Sequence, residues 1–467
     1  MNSPSPKVLI PRRVTMRGSV TAIARLTAGE ALRSRFLIAV LIIGFVGMLS
    51  TVAQGAAVDA TNRVQLLRQS IIQTVSFVTT FSLLFLAAFA LPTDLETRRI
   101  YTLVAKPVSR STVFLGRFLG FVALALLLTV LLGVSGQVLL RIAAATATEP
   151  TSLAVSPRTL PVMFDAWGAD EGSRSSGRGL PTITLDGPEE AGFVAVFAGV
   201  ERGAFDDEGP RLWLRTGLRL HRGRHIREQE TGELRFRAPR QSKLDATVVT
   251  INLADRDSQT VRIPWSAVGP FAHDASLSGV VVEFSLTESP FSAVIEPDSA
   301  VLLGRGVDPA PAWTLVLMTE LARVVFLISL VLAASAAFTP YTSVLIGFFA
   351  MLMMGVASTF RTAVERYSDS LAHAHQLQYR TGRSIEFTMQ FGEWLFGDPT
   401  DPGARWHWVT WMISAMPDST RFPISADFIA GFQPTAADAL AAVWMFGAWT
   451  IGAVLFGMLC FTLREIP

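Results

Sequence analysis

The sequence predicts an α-helical polytopic membrane protein with six transmembrane helices and an inserted extracytoplasmic β-sandwich domain. Half of the 467 residues are hydrophobic, and the mean hydropathy is +0.41. Both values favour a membrane protein over a soluble enzyme. The apolar residues are concentrated in six long runs. Between the third and fourth runs, roughly 170 residues alternate polar and apolar side chains instead, which is enough chain for a separate domain.

Residues 1–35 form a polar and basic leader. From about residue 20, Ile23, Leu26 and Leu32 recur at near-helical spacing, which predicts an amphipathic helix lying on the inner membrane surface. The alternative is a disordered basic tail, an interpretation that fits best before Arg17. Because the apolar run that follows is long enough to span a bilayer, we do not interpret the leader as a signal peptide.

The six apolar runs predict the spans. Gly116 and Gly120 stand four residues apart near the start of the third, a spacing that permits close helix contact. Short connections are expected at residues 54–70 and 339–343, and a longer helical and aromatic segment at 360–435. The predicted spans are residues 36–53, 71–91, 118–140, 313–338, 344–359 and 436–462.

A basic hairpin, residues 92–117, separates the second and third spans. Pro92, with Asp94 and Glu96 close behind, suits the start of a short helix. Pro107 lacks a backbone donor and should end that helix, after which Ser109 or Ser111 can cap the next one. The hairpin carries five cationic side chains: Arg98, Arg99, Lys106, Arg110 and Arg117.

Charge sets the predicted orientation. The leader, the basic hairpin and Arg464 fall on one side of a six-span count, and positive segments stay in the cytoplasm. Both termini are therefore expected inside. Residues 141–312 and 360–435 are expected outside.

Residues 141–312 show several runs of period-two alternation, which predict strands with one wet face in an antiparallel sandwich. In residues 211–221 the leucines occupy one parity and the arginines the other. The alternating apolar residues of the insert are expected to face the core of the sandwich: Leu212, Leu214, Leu218, Leu220, Leu234, Phe236, Val249, Ile251, Leu253, Val261, Ile263, Trp265, Val280, Val282, Phe284 and Leu286.

Three further groups of residues are candidate sites. Glu320 and Arg323 lie i, i+3 inside the fourth span, where a structural ion pair is the preferred interpretation and a transport-pathway lining the alternative. His373 and His375 could bind a metal ion from a strand. The surrounding sequence favours a helix, on which they would point apart, so we expect no metal site there. The arginines of the sandwich read as a solvated face, with an anionic ligand as the alternative: Arg211, Arg215, Arg219, Arg235 and Arg237.

No catalytic constellation is apparent in the sequence. Cys460 is the single cysteine, so no disulfide can form within the chain. The sequence also has no Gly-x-x-x-x-Gly-Lys-Ser/Thr loop to cradle phosphates. We therefore expect a protein that is not itself an enzyme and that takes energy, if it needs any, from a partner.

The leader IARLTAGEALRSR (residues 23–35), the hairpin DLETRRIYTLVAKPVSR (residues 94–110) and the six spans resemble ABC-2 type permeases, the membrane subunits of bacterial ABC exporters. The group that contains the permease of nitrous-oxide-reductase maturation is the most similar. The resemblance covers the membrane segments. It does not cover the sandwich, which is a large insertion relative to smaller members.

The resemblance implies a coupling helix near residues 94–103 that docks on a separate ATPase subunit. The expected docking residues are Asp94, Glu96, Arg98, Arg99, Tyr101, Lys106, Pro107 and Arg110. Beside them would lie the leader helix, with Arg25, Glu30 and Arg33 as interface residues.

The same resemblance implies the setting of the molecule. It places the chain in a bacterial inner membrane, in contact with lipid and with a second permease chain, either a copy or a paralogue. ATP and Mg²⁺ would be held by the partner ATPase, this chain would hold no cofactor, and no nucleic-acid partner is expected.

The sequence and the resemblance leave two candidate functions. The first is the permease subunit of an ABC exporter. The alternative is a non-transporting membrane scaffold or receptor whose outer β domain binds a glycan or a protein.

Overall fold

The computed structural model describes eight helices and the strands of the insert. The description covers residues 16–55, 60–96, 109–145, 153–167, 183–185, 191–201, 203–207, 209–215, 217–220, 230–240, 246–253, 258–270, 278–286, 291–295, 300–355, 422 and 424–463. The chain divides into two compact units. One contains residues 1–153, 309–359 and 415–467, and the other contains residues 154–308 and 360–414.

Eight described helices belong to the first unit. They are α1 (Met16–Leu32), α2 (Arg35–Gly55), α3 (Ala60–Glu96), α4 (Arg110–Ala145), α5 (Pro309–Ala337), α6 (Pro340–Gly355), α7 (Ile424–Ala430) and α8 (Ala436–Leu463).

Four of these helices are long and apolar enough to cross a membrane: Arg63–Pro92 within α3, and all of α4, α5 and α8. A fifth crossing is counted if α1 and α2, which meet at a bend of 60°, form one broken span. The described part of α6 is apolar but shorter. The chain is thus a membrane-type helical protein with a separate β region, the coarse architecture that the sequence predicted.

Hydroxyl side chains cap four of the described helices: Ser34, Ser109, Thr339 and Thr435 precede α2, α4, α6 and α8. Ser109 precedes α4 and accepts a hydrogen bond from the backbone N–H of Thr112 at 3.3 Å, which confirms the predicted cap. Thr339 accepts from Thr342 N–H at 3.4 Å, so α6 begins directly at Pro340. The predicted turn at 339–343 is therefore wrong beyond its first residue, because Pro is well suited to the first helical position.

The prediction that Pro92 opens a new helix is wrong. Pro92 lies inside α3, which continues to Glu96, and Asp94 therefore belongs to the last turn of a helix rather than to the first. Leu91 and Pro92 are both buried, so packing compensates for the backbone hydrogen bond that Pro92 cannot donate. Neighbouring helices commonly permit this in membrane segments.

One further expectation is corrected at the N-terminal end. Helix α3 already begins at Ala60, so residues 60–70 are helical rather than a polar loop. In α1, the face that packs on neighbouring helices is formed by Val20, Ile23, Thr27 and Ala31, whereas Leu26 and Leu32 are about half exposed.

Thirteen described strands build the insert, and all their pairings are antiparallel. In chain order they are β1 (Arg158–Thr159), β2 (Met163–Trp167), β3 (Ile183–Leu185), β4 (Ala191–Ala198), β5 (Arg211–Arg215), β6 (Gly217–Leu220), β7 (Glu230–Arg237), β8 (Thr247–Leu253), β9 (Ser258–Arg262), β10 (Gly269–Pro270), β11 (Ser278–Leu286), β12 (Phe291–Ile295) and β13 (Ala300–Leu303).

The strands form three sheets. One has the order β1-β13-β5-β9, a second the order β2-β4-β11-β7-β8 with β10 paired to β11, and a third the order β3-β12-β6. The first two sheets share one core. Phe193, Phe236 and Phe284 come from the second sheet, and Leu212 and Leu302 from the first.

The ends of this β domain meet. Val155 and Val307 exchange two backbone hydrogen bonds, at 3.2 and 2.8 Å. A domain whose first and last residues are paired can be inserted between two helices without altering their connection.

The arginines of the β domain do not form one face. Residues 211–215 and 217–220 are separate strands in different sheets. Arg211 belongs to the first sheet and Arg237 to the second, and these sheets enclose the core between them. Three of the five predicted arginines have an acidic neighbour: Arg211 pairs with Asp206, Arg235 with Glu233, and Arg237 with Glu283. The prediction of a single cationic face is wrong, since alternation in the sequence does not reveal a change of sheet.

Gly209 gives the first testable prediction. Its φ is +122°, and an added Cβ would overlap the carbonyl oxygen of Ile263. We expect Gly209→Ala to destabilise the β domain by roughly 2–4 kcal/mol, because strain and overlap act together. Gly203→Ala is the matched control, since no atom lies within 4 Å of its added Cβ. Limited proteolysis of the full chain measures both, and equal resistance of the two variants would contradict the prediction.

Candidate functional site

Helix α1 lies tightly against the start of α4. A Cβ added to Gly116 would come within 2.7 Å of Ile23 Cβ, and one added to Gly120 within 2.6 Å of Thr27 Cβ. The two glycines therefore let the helix backbones approach. Higher residue numbers of one helix meet higher numbers of the other, so the two helices run in the same direction at this contact.

An ion pair lies at the same contact. Arg117 Nη1 is 3.0 Å from Glu30 Oε2, and it also donates to Thr27 Oγ1 at 3.3 Å. The Arg117 side chain is 6% exposed, whereas that of Glu30 is 41% exposed. A charge-assisted bond to a nearly buried guanidinium fixes α1 on α4 more firmly than surface pairing does.

The predicted interface residues of α1 divide between two roles. Glu30 turns toward Arg117, whereas Arg25 and Arg33 are exposed. Neither of these two arginines forms an ion pair with any residue that the structure describes. Their side chains are open to a partner or to lipid head groups.

The predicted docking hairpin is described only at its ends. Asp94 and Glu96 lie in the last turn of α3, and Arg110 begins α4, where its Nη1 donates to the carbonyl of Thr462 in α8 at 3.3 Å. The remaining predicted docking residues lie outside the described residues: Arg98, Arg99, Tyr101, Lys106 and Pro107.

A cavity of about 420 Å³ opens where α1 bends into α2. Most of its wall is apolar, and Glu30 and Arg117 contribute the charged part. It is lined by Thr27, Glu30, Ala31, Phe36, Phe85, Leu86, Phe89, Ala90, Arg117 and Phe121.

A second polar cluster lies within α5. Arg323 Nη2 is 2.7 Å from Glu320 Oε2, which confirms the predicted pair. Arg323 also donates to Ser76 of α3, and Ser425 of α7 donates to Glu320 at 3.5 Å. Despite the short ion-pair distance, Glu320 Oε2 and Arg323 Nε lack a well-directed hydrogen bond among the described residues. The pair thus links three helices without satisfying all of its polar atoms.

A double-mutant cycle separates the two interpretations of this pair. Arg323→Gln alone should cost about 3 kcal/mol, because Glu320 keeps its charge at a nearly buried position. Glu320→Gln with Arg323→Gln should cost much less than the sum of the single changes. Thermal unfolding in detergent measures these costs. If the chain is a transporter, a stable double variant that has lost transport would favour the pathway lining over the structural pair.

Sequence reasoning missed Arg68, which it placed in a loop. Arg68 is 3% exposed inside α3, and it donates to the carbonyls of Phe428 and Leu153 at 3.2 and 2.5 Å. Its guanidinium carbon also lies 4.9 Å from the centre of the Phe428 ring. The arginine therefore holds α7 against α3. The sequence did contain a signal that residues around Arg68 are helical. Apolar residues next to Arg68, such as Leu67 and Ile71, recur at nearly every helical turn.

Metal ligands are not brought together in the part of the chain that the structure describes. No group of three or more His, Cys, Asp or Glu side chains lies close enough there to hold a metal ion. The His373 and His375 pair lies outside the described residues.

Comparisons with known proteins add little. No protein family matches the sequence, and no curated protein matches it. Among solved structures, TmCBM61 in complex with β-1,4-galactotriose is similar at 10% identity and a TM-score of 0.18. That match covers 32% of this chain and 91% of the other. A likeness at that TM-score says nothing about the function of this chain.

Proposed function

We propose that this chain is the membrane permease subunit of an ABC-type exporter in a bacterial inner membrane, driven by a separate ATPase. One observation carries the proposal. Helix α1 is seated on the first turns of α4 through Gly116, Gly120 and the Glu30–Arg117 pair. Because α4 begins at Arg110, within the basic hairpin, a force applied to the hairpin would move α1 and α4 as one body.

The proposal includes an arrangement in the membrane. The chain crosses six times, through α2, α3, α4, α5, α6 and α8. Both termini and the basic hairpin lie in the cytoplasm, and the β domain lies outside. A second permease chain, either a copy or a paralogue, completes the pathway, and the ATPase holds ATP and Mg²⁺.

The basic hairpin would be the docking site of the ATPase, since clustered positive charge steers association with an acidic partner surface. Arg25 of α1 and Arg33, directly after α1, are both exposed and would extend that surface. The absence of a phosphate-binding loop from the sequence is consistent with an ATPase in a separate chain.

Copurification in mild detergent tests the proposal. We expect a nucleotide-hydrolysing subunit to accompany the wild-type chain, and Lys106→Glu to weaken that association at least about tenfold through like-charge repulsion. Lys243→Glu in the β domain is the matched control and should retain the partner. If no ATPase accompanies the wild-type chain, the membrane scaffold becomes the better explanation. Unchanged association of Lys106→Glu would remove the docking role from the hairpin.

A further inference from the structure

The cavity at the α1–α2 bend has the composition of a site for an amphiphile. Four of its lining side chains are phenylalanines: Phe36, Phe85, Phe89 and Phe121. Its volume of about 420 Å³ falls in the usual range for pockets that enclose small ligands. The aromatic and aliphatic lining favours a hydrocarbon chain over a polar solute.

The polar groups of the cavity form one cluster rather than scattered points. Arg117 contacts both Glu30 and Thr27, so the three polar lining residues are joined by direct bonds. Glu30 is 41% exposed and Phe36 is 38% exposed, which places the mouth of the cavity beside the carboxylate. A ligand that matches this arrangement has an apolar tail and a polar head.

The charge of the cavity lining decides which kind of polar head group fits. Glu30 and Arg117 neutralise each other, so the cavity offers no net charge to an anionic head group and fits a net-neutral, zwitterionic one. Glu30 is the more exposed member of the pair, so its carboxylate can accept a hydrogen bond from the cationic end of such a head group. A primary ammonium satisfies this requirement, whereas a quaternary ammonium has no N–H to donate.

We propose that this cavity binds one acyl chain of a membrane phospholipid whose ethanolamine head group lies at Glu30. The chain would occupy the space between the phenylalanines of α2, α3 and α4. Its head would sit where α1 turns into α2, and so would support the 60° bend. The site requires insertion in a bilayer and does not depend on an ATPase partner.

Photo-crosslinking in the full chain tests this. A diazirine analogue of leucine replaces Leu86, which lines the cavity, in vesicles with equal parts of phosphatidylethanolamine, phosphatidylcholine and phosphatidylglycerol. The same analogue at Leu352, 59% exposed on α6, is the control. We expect ethanolamine lipid to be enriched about tenfold in the Leu86 adduct, equivalent to ~1.4 kcal/mol. The Leu352 adduct should follow the bulk composition.

Three variants complete the test. Ala90→Phe fills the cavity and should abolish the Leu86 adduct, whereas Ala448→Phe on an exposed position of α8 should leave it unchanged. Glu30→Gln should return the adduct to bulk composition. A Leu86 adduct of bulk composition in the wild-type chain, or an undiminished adduct in Ala90→Phe, would overturn the proposal. Because no ATPase is present, the result is separate from the test of the permease function.

Discussion

Glu30→Gln is expected to destabilise the protein by about 3 kcal/mol, the cost of leaving a buried charge without its partner. The guanidinium of Arg117 keeps its positive charge in the variant. Its side chain is 6% exposed, so water cannot replace the lost carboxylate. Thr27 stays as an acceptor and limits the cost, but a hydroxyl does not compensate a full charge.

Arg117→Met should cost less than Glu30→Gln, because Glu30 is 41% exposed and can be hydrated once its partner is gone. Methionine also keeps much of the buried volume. The double variant should therefore resemble Arg117→Met alone. Thermal unfolding of the four proteins in one detergent completes the cycle. Equal costs for the two single changes, or simple additivity, would show that the pair does not anchor α1.

The sequence predicted where the helices lie better than where they end. Residues 60–70 and the turn around Pro92 were assigned to connections because of their polar or helix-breaking composition. In the structure Arg68 is satisfied by two carbonyls and an aromatic ring, and Pro92 is held by burial. Both compensations come from residues distant in the chain, so a local window cannot contain them.

Two ion pairs of the helical unit also show that a local sequence window cannot predict contacts between distant residues. Glu320 and Arg323 were predicted as a pair because i, i+3 neighbours on a helix meet by geometry alone. Glu30 and Arg117 are 87 positions apart, and they meet because α1 packs beside α4. The spacing of Gly116 and Gly120 was the readable signal for that packing. The glycine spacing predicted a close contact with another helix, but it could not identify which helix makes that contact.

Alternation in the insert predicted the inward side chains correctly. Phe236, Val282 and Phe284 are buried in the shared core, since strand periodicity assigns a face to each residue. The assignment of strands to sheets could not be predicted, because residues 211–220 alternate without interruption across two sheets. Backbone pairing decides the sheet, and the sequence pattern records only the face.

Gly120→Leu is expected to separate α1 from α4. The added Cβ alone would lie 2.6 Å from Thr27 Cβ and 2.7 Å from the carbonyl oxygen of Ala24. A backbone atom cannot move aside without moving its helix, so we expect a cost of roughly 3 kcal/mol, at the upper end of overpacking. Under the proposed function, loss of this contact should also uncouple ATP hydrolysis from transport while the ATPase remains bound.

Cysteine labelling reports that separation directly. Thr27→Cys places a near-isosteric thiol at a position that is 2% exposed, in a chain whose Cys460 is replaced by serine. Maleimide labelling should be slow in this parent and fast when Gly120→Leu is added. Gly452→Leu on α8 is the matched control, because an added Cβ there meets no atom within 4 Å. Slow labelling in Gly120→Leu would mean that α1 tolerates the larger side chain, and the glycine contact would then lose its role in holding the two helices together.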